Sequence, residues 1–226
     1  MNVSEQFPQL LKATVFEGVG KTDAKYLLDQ GQLKSYRRPT IVLREGELAN
    51  NVFMVANGTL DIYYDGLTDT KMLLHRARVG EIVGELELLS DMPCAATCET
   101  NRDTSLVIFS KDLVAEFFRT DVILRNMAAI LHTRLERSNK FRVVDNCFPS
   151  RQRLCAYLLY LRGRDDVVTD NQKFLADLIG CTRQTINREL GSLRDEGVLV
   201  ISGRTIQIVD VARLTELSGI VESKAP

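Results

Sequence analysis

Four polar side chains near the start of one helical segment carry the most specific chemistry in the chain: Arg183, Gln184, Asn187 and Arg188. Their spacing puts them on one side of a helix, since residues three and four apart are neighbours on its surface. An arginine can take guanine O6 and N7 together, and a glutamine can do the same with adenine N6 and N7. Thr182, Thr185 and the N–H groups of a helix start suit phosphate. Gln172 stands at the start of the segment before.

These residues need two elements to hold them. Asn171 to Ile179 reads as a short helix with Asn171 as its cap and Phe174, Leu175, Leu178 and Ile179 turned inward. Gly180-Cys181 then supplies a tight turn, and Thr182 caps a second helix running from Arg183 to Glu196. Ile186, Leu190 and Leu193 form its inner stripe, which leaves the four polar residues outside. Helix, glycine turn, helix with a polar and basic second start is the helix-turn-helix arrangement. The hairpin Val198–Val209, turning at Gly203-Arg204, adds a wing, and a last helix is expected after Asp210. Charge alone would not distinguish this from a solvated helix face: across residues 151–226 Lys and Arg exceed Asp and Glu by one.

Upstream the pattern changes. Thr40–Leu43, Val52–Val55, Leu60–Tyr64, Lys71–His75 and Ser105–Phe109 are short β-branched or alternating runs punctuated by glycines, with Asp65-Gly66 as one hairpin turn. Such spacing predicts an all-β barrel or sandwich over residues 33–109. Residues 1–30 read as short helical pieces. From Lys111 to about Asn146 the period is helical, and Leu124, Ala128, Leu131, Leu135, Ser138 and Arg142 recur at steps of 4 and 3. That is the seam of a coiled coil, although an amphipathic helix packed on the barrel would look similar. Phe148-Pro149-Ser150 ends the helix, Ser150 is placed to cap the next one, and the tripeptide is the expected hinge.

The 226 residues carry 29 Lys and Arg against 30 Asp and Glu, a net charge of -1, so no global charge draws the chain to nucleic acid or membrane. No apolar run approaches the roughly 20 residues of a membrane helix, and the first residues lack the pattern of a secretory signal, which leads us to expect a cytoplasmic protein. The five cysteines (Cys94, Cys98, Cys147, Cys155, Cys181) have no C-x-x-C spacing and read as reduced, packed thiols. An enzyme built on Cys94 or His75 lacks a Ser/His/Asp, Cys/His or metal-spaced set, so no catalytic residue or metal site is expected.

Gly180-Cys181-Thr182-Arg183-Gln184-Thr185-Ile186-Asn187-Arg188 closely resembles the reader segment of the Crp/Fnr transcription regulators. Gly46, Gly58, Gly80 and Gly84 resemble the glycine order of their cyclic-nucleotide-binding barrel, and Gly80–Leu86 their phosphate-binding stretch. The likeness covers the chain beyond about residue 15. It implies an α+β bacterial regulator in three parts: a jelly-roll effector-sensing barrel (1–110), a dimerisation helix (111–147) and a winged helix-turn-helix (148–226). Gln172, Thr182, Arg183, Gln184, Thr185, Asn187 and Arg188 become the DNA-binding set, with Arg183, Gln184 and Arg188 as base readers. The family's cAMP branch has glutamate where this chain has Gln184, and a carboxylate accepts from cytosine N4 whereas an amide both donates and accepts, so the preferred base should differ. A homodimer with seam Leu124, Ala128, Leu131, Leu135 and Ser138 would bind a palindromic double-stranded operator, with half-sites about one helical turn (10–10.5 bp) apart. RNA polymerase is the further partner implied.

The resemblance implies an effector pocket of Gly84, Glu85, Leu86, Ala95, Ala96, Ser138 and Asn139. In the cAMP branch an arginine and a serine grip the cyclic phosphate, and here those positions are Ala95 and Ala96. A buried phosphate without its cation is a severe loss, so cAMP is not the expected effector unless Arg76 or Arg102 substitutes. Glu85 takes the ribose hydroxyl in that branch; without an anion nearby it would merely close a turn. Haem is disfavoured because His75 falls in a strand and residue 2 is Asn. An iron–sulfur cluster is not expected because no cysteine precedes Cys94. Cys94 and Cys98 share strand parity, which keeps a thiol switch as an alternative. The effector's identity stays open.

Overall fold

The computed structural model describes residues 2–65, 71–117 and 120–220, so the expected Asp65-Gly66 turn lies outside the described residues. The chain divides into two compact units, Met1–Glu136 and Arg137–Pro226.

The first unit opens with α1 (Val3–Gln6), two 3-10 turns and α2 (Lys21–Gln30). Eight strands follow: β1 (Gln32–Tyr36), β2 (Ile41–Leu43), β3 (Asn51–Asn57), β4 (Leu60–Asp65), β5 (Lys71–Ala77), β6 (Ile82–Val83), β7 (Thr97–Thr100) and β8 (Thr104–Ser110). They form two four-stranded sheets, in the orders β1-β8-β3-β6 and β2-β7-β4-β5, with antiparallel pairing throughout. The β-barrel expectation holds, but β1, β6, β7 and the short helix α3 (Glu85–Ser90) were not foreseen. β1 and β7 mix polar residues into their runs, and β6 has two residues, too few for a period to register.

β3 explains why its sequence is apolar without alternation. Phe53 and Val55 belong to the core between the sheets, with Leu60, Leu106, Cys94 and Cys98. Val52, Met54 and Ala56 face the opposite way into a second core, with Leu10, Phe16, Leu28, Val107 and Phe109. A strand buried on both faces reads as a continuous hydrophobic run. The N-terminal helical segment is therefore half of a core, since its Leu10 and Leu28 are fully buried.

The segment from Lys111 is two helices rather than one, α4 (Lys111–Phe117) and α5 (Asp121–Cys147). Ile123 and Met127 of α5 enter the second core with Ile130 beside them. The expected seam lies on a neighbouring face. Leu124 is 57% and Leu135 61% exposed; Ala128 and Ser138 are exposed and Leu131 is half-buried. One helix thus has two apolar stripes, and the period-3.5 pattern picked out the free one.

The second unit comprises the last turns of α5, then α6 (Ser150–Leu161), β9 (Val167–Val168), α7 (Gln172–Ile179), α8 (Arg183–Asp195), β10 (Leu199–Ser202), β11 (Thr205–Ile208) and α9 (Val211–Ser218). Phe141 of α5 packs on the rings of Tyr157 and Tyr160 of α6, with centroids 4.7 and 5.1 Å apart. The Tyr157 hydroxyl donates to Asp145 Oδ1 at 3.0 Å. The last turns of α5 therefore pack with α6 upstream of the tripeptide where a hinge was expected. Ser150 does not cap α6: Pro149 takes the cap position with no side-chain bond, and Ser150 is already helical. Pro149 is extended at φ -62 and ψ 157, and the φ its ring fixes is compatible with a helix start. α9 follows Asp210 as expected, and Asp210 Oδ1 accepts from the Arg213 N–H at 2.8 Å.

Candidate functional site

In the second unit, Asn171 Oδ1 accepts from the Phe174 N–H at 2.9 Å and starts α7 as expected. Leu175, Ala176 and Ile179 are its buried residues. Phe174 and Leu178, expected inward, are half-buried instead. Gly180 ends the helix at φ +68, a left-handed conformation that costs a residue with a Cβ. The Cys181 N–H donates to the Ala176 carbonyl at 3.0 Å and closes the turn.

Thr182 Oγ1 then accepts from the Thr185 N–H at 3.1 Å. This cap satisfies one donor at the start of α8 and leaves those of Arg183 and Gln184 ahead of the first intrahelical bond. Ile186, Leu190 and Leu193 are buried to 1% or less. Opposite them Arg183, Gln184, Asn187 and Arg188 are all exposed. The structure brings the sequence-predicted set together on one free face.

Two basic residues outside that set join the surface. A polar cleft of about 470 Å³ lies between the start of α7, the start of α8 and the β10–β11 wing. Lys173, Arg183 and Arg204 line it, with Gln172 and Asn171 between them. The wing also has a third strand: β9 pairs with β11 through Ile206 and Gln207, in the order β10-β11-β9. Val167-Val168 lies in the short segment between α6 and α7, and only tertiary pairing with β11 makes it a strand. Lys173 carried no signal either, because its role depends on the wing folding over the first turn of α7.

In the first unit, Gly84 stands at φ +86 as the cap of α3, and a Cβ there would meet Asn51 O and Leu43 Cδ1 at 3.0 Å. Glu85 follows and is 1% exposed. It is not a turn-closing residue without a partner: Arg134 of α5 ion-pairs with Glu85 Oε1, and its other terminal nitrogen donates to the Ile82 carbonyl. Burial pushes the Glu85 carboxyl above the usual carboxylate range, and the Arg134 charge works against that shift. Glu85 Oε2 is buried with no hydrogen-bond partner.

The other expected pocket residues are spread out. Leu86 is 41% exposed; Ala95 is exposed and Ala96 half-buried. Ser138 and Asn139 are exposed and belong to the second unit. Arg76 is engaged by both Asp61 oxygens, at 2.6 and 2.9 Å, and Arg102 is exposed. His75 is buried in β5, 2.5 Å from Glu81 Oε2. Cys94 and Cys98 do share the inter-sheet core. Burial pushes the Cys98 thiol up to about 12 and raises Cys94 as well. Among the described residues no cluster of three His, Cys, Asp or Glu that could hold a metal ion is assembled, and no helix is long and apolar enough to cross a membrane.

Comparison with known proteins bears on both units. Residues 33–121 match the family model of the cyclic nucleotide-binding domain, and residues 152–217 that of the Crp-like helix-turn-helix domain. The cyclic AMP receptor protein of Thermus thermophilus is 26% identical over 90% of this chain and 96% of its own. The CRP-like cAMP-activated global transcriptional regulator of Mycobacterium tuberculosis is 24% identical over 91% and 96%. Among solved structures, FixK2 from Bradyrhizobium japonicum has the same fold, with a TM-score of 0.73 at 21% identity, covering 84% of this chain and 98% of that one. The c-di-GMP responsive global regulator CLP from Xanthomonas campestris has a TM-score of 0.65 at 23% identity, covering 81% and 95%. With a cyclic nucleotide-binding domain followed by a helix-turn-helix domain, and relatives that are regulators rather than enzymes over nearly their whole length, the chain belongs to the Crp/Fnr family of transcription regulators.

Proposed function

We propose that the protein binds a palindromic operator as a homodimer, under the control of an effector other than cAMP held in the first unit. The observation that carries the DNA reading is the free face of α8, where Arg183, Gln184, Asn187 and Arg188 stand exposed opposite a fully buried stripe. Arg183, Gln184 and Arg188 read base edges. Thr182, Thr185, Asn187 and Gln172, joined by Lys173 and Arg204 across the cleft, position the phosphate backbone. The exposed Leu124, Ala128, Leu135 and Ser138, with the half-buried Leu131, form the dimer seam.

Two relatives bear cAMP in their names, but the chemistry here argues for another ligand. Alanines occupy positions 95 and 96, Arg76 is committed to Asp61 and Arg134 to Glu85. A cyclic phosphate beside Ala95 and Ala96 would find both of these guanidiniums already engaged rather than available to offset its desolvation. Glu85 Oε2, buried and without a partner, calls for a hydrogen-bond donor, so the effector carries a hydroxyl or amine at that end.

The DNA reading is tested by selecting bound duplexes from a randomised library with the full chain. Arg188→Ala should cost about 1–3 kcal/mol on the selected site and relax preference at one position per half-site. Equal weakening on every sequence would make Arg188 a phosphate contact. For the effector, calorimetric titration with cAMP should give no heat of binding, and tight binding would overturn that part.

A further inference from the structure

Arg188 is not left to itself on the surface. One of its terminal nitrogens donates to Glu189 Oε1 at 2.9 Å, although the Arg188 side chain is 72% exposed. The Glu189 side chain is only 12% exposed, and its second oxygen lies 3.9 Å from Arg151 of α6. Arg151 reaches further along α8. It donates to Ser192 Oγ at 2.7 Å and to both oxygens of Glu196 at 2.6 and 2.7 Å. Ser192 in turn donates to Glu196 at 2.9 Å. Hydrogen bonds, linked by the one longer Arg151–Glu189 ion pair, therefore run from α6 along α8 and end on the exposed Arg188 guanidinium.

We infer that Glu189 is a positioning residue that sets Arg188 for base reading and fixes its guanine preference; this rests on the base-reading role proposed for Arg188. Arginine has five N–H donors in a rigid planar fork, so one bond to Glu189 restrains the plane and leaves donors for O6 and N7. Glu189 is itself held by burial and by Arg151, which makes it a fixed support rather than a second mobile charge. Its charge also discriminates. A phosphate approaching Arg188 would come close to a fixed carboxylate and be repelled, whereas guanine offers neutral acceptors. Glu189 thus steers the arginine away from the backbone and towards the base.

The test uses the full chain and the same randomised duplex library. Glu189→Gln keeps the shape and removes the charge, while Arg151 retains Ser192 and Glu196 to hold α6 against α8. Guanine preference at the position read by Arg188 should fall about fivefold, with non-specific duplex binding changed less than about twofold. In the Arg188→Ala background the same substitution should have no further effect on that preference. Uniform weakening on all sequences, with a lowered melting temperature, would show that Glu189 only anchors α8 and would overturn the inference. Additive effects of the two substitutions on the preference would overturn it too. If Arg188→Ala alone relaxes no position, the base-reading role itself fails, a result distinct from either.

Discussion

Leu135→Asp is the sharpest probe of how two copies would meet. Leu135 is 61% exposed in a single chain, so the monomer gains little from it and should tolerate an exposed aspartate within about 0.5–1 kcal/mol. Its value lies in the pairing. Burying a whole leucine side chain gives about 1.5–3 kcal/mol, and the 61% still open leaves roughly 1–2 kcal/mol per copy to be gained across a seam. A two-fold interface counts the residue twice, so losing it costs about 2–4 kcal/mol, a weakening of roughly 30- to 800-fold in the dimer constant. The two introduced carboxylates add desolvation and mutual repulsion, which makes that range a lower bound. Sedimentation equilibrium across a concentration series measures the constant, and circular dichroism confirms that the helix content is kept. A dimer constant changed less than about threefold, in a folded variant, would refute the seam.

Other expectations follow from local geometry. Gly180→Ala meets open space, so its cost is the left-handed φ alone, about 1–2 kcal/mol less a partial gain from a stiffer unfolded chain. Gly84→Ala adds a 3.0 Å approach to the Asn51 carbonyl to the same conformational cost and should lower stability more; thermal melts showing the reverse order would contradict this. A thiol reagent at pH 8 should label exposed Cys147 quickly and leave Cys98 and Cys155 unlabelled until unfolding, because burial holds both thiols protonated up to about 12. The sign extends to stability: these thiols ionise more easily in the unfolded chain, so raising pH through the ordinary thiol range favours unfolding. Prompt labelling of Cys98 in the folded protein would revive the thiol switch.

The sequence made the reader helix legible because each of its signals is local: a cap, a glycine, an inner stripe and polar residues at fixed offsets. Asn171, Gly180, Thr182 and Ile186 do in the structure what their types dictate. What escaped was set by contacts distant in sequence. Val167-Val168 becomes a strand only because β11 is there to pair with it. Glu85 acquires its partner from a helix almost fifty residues on, a pairing invisible to spacing. Ser150 misled because two cap signals stood side by side and proline took the position. Lys173 and Arg204 belong to the cleft through the fold of the wing, and no periodicity announces them.

The aromatic packing of Phe141 on Tyr157 and Tyr160 bears on how this protein can be dissected. A piece beginning at Phe148 would discard Phe141, uncover one side of both tyrosine rings and strip the Tyr157 hydroxyl of its Asp145 acceptor. One beginning at Arg137 carries its own lid, including Val144, which is 1% exposed. The shortest excisable reader of DNA thus starts inside the long helix, and a cut at the proline would yield a weaker piece for reasons unrelated to the operator.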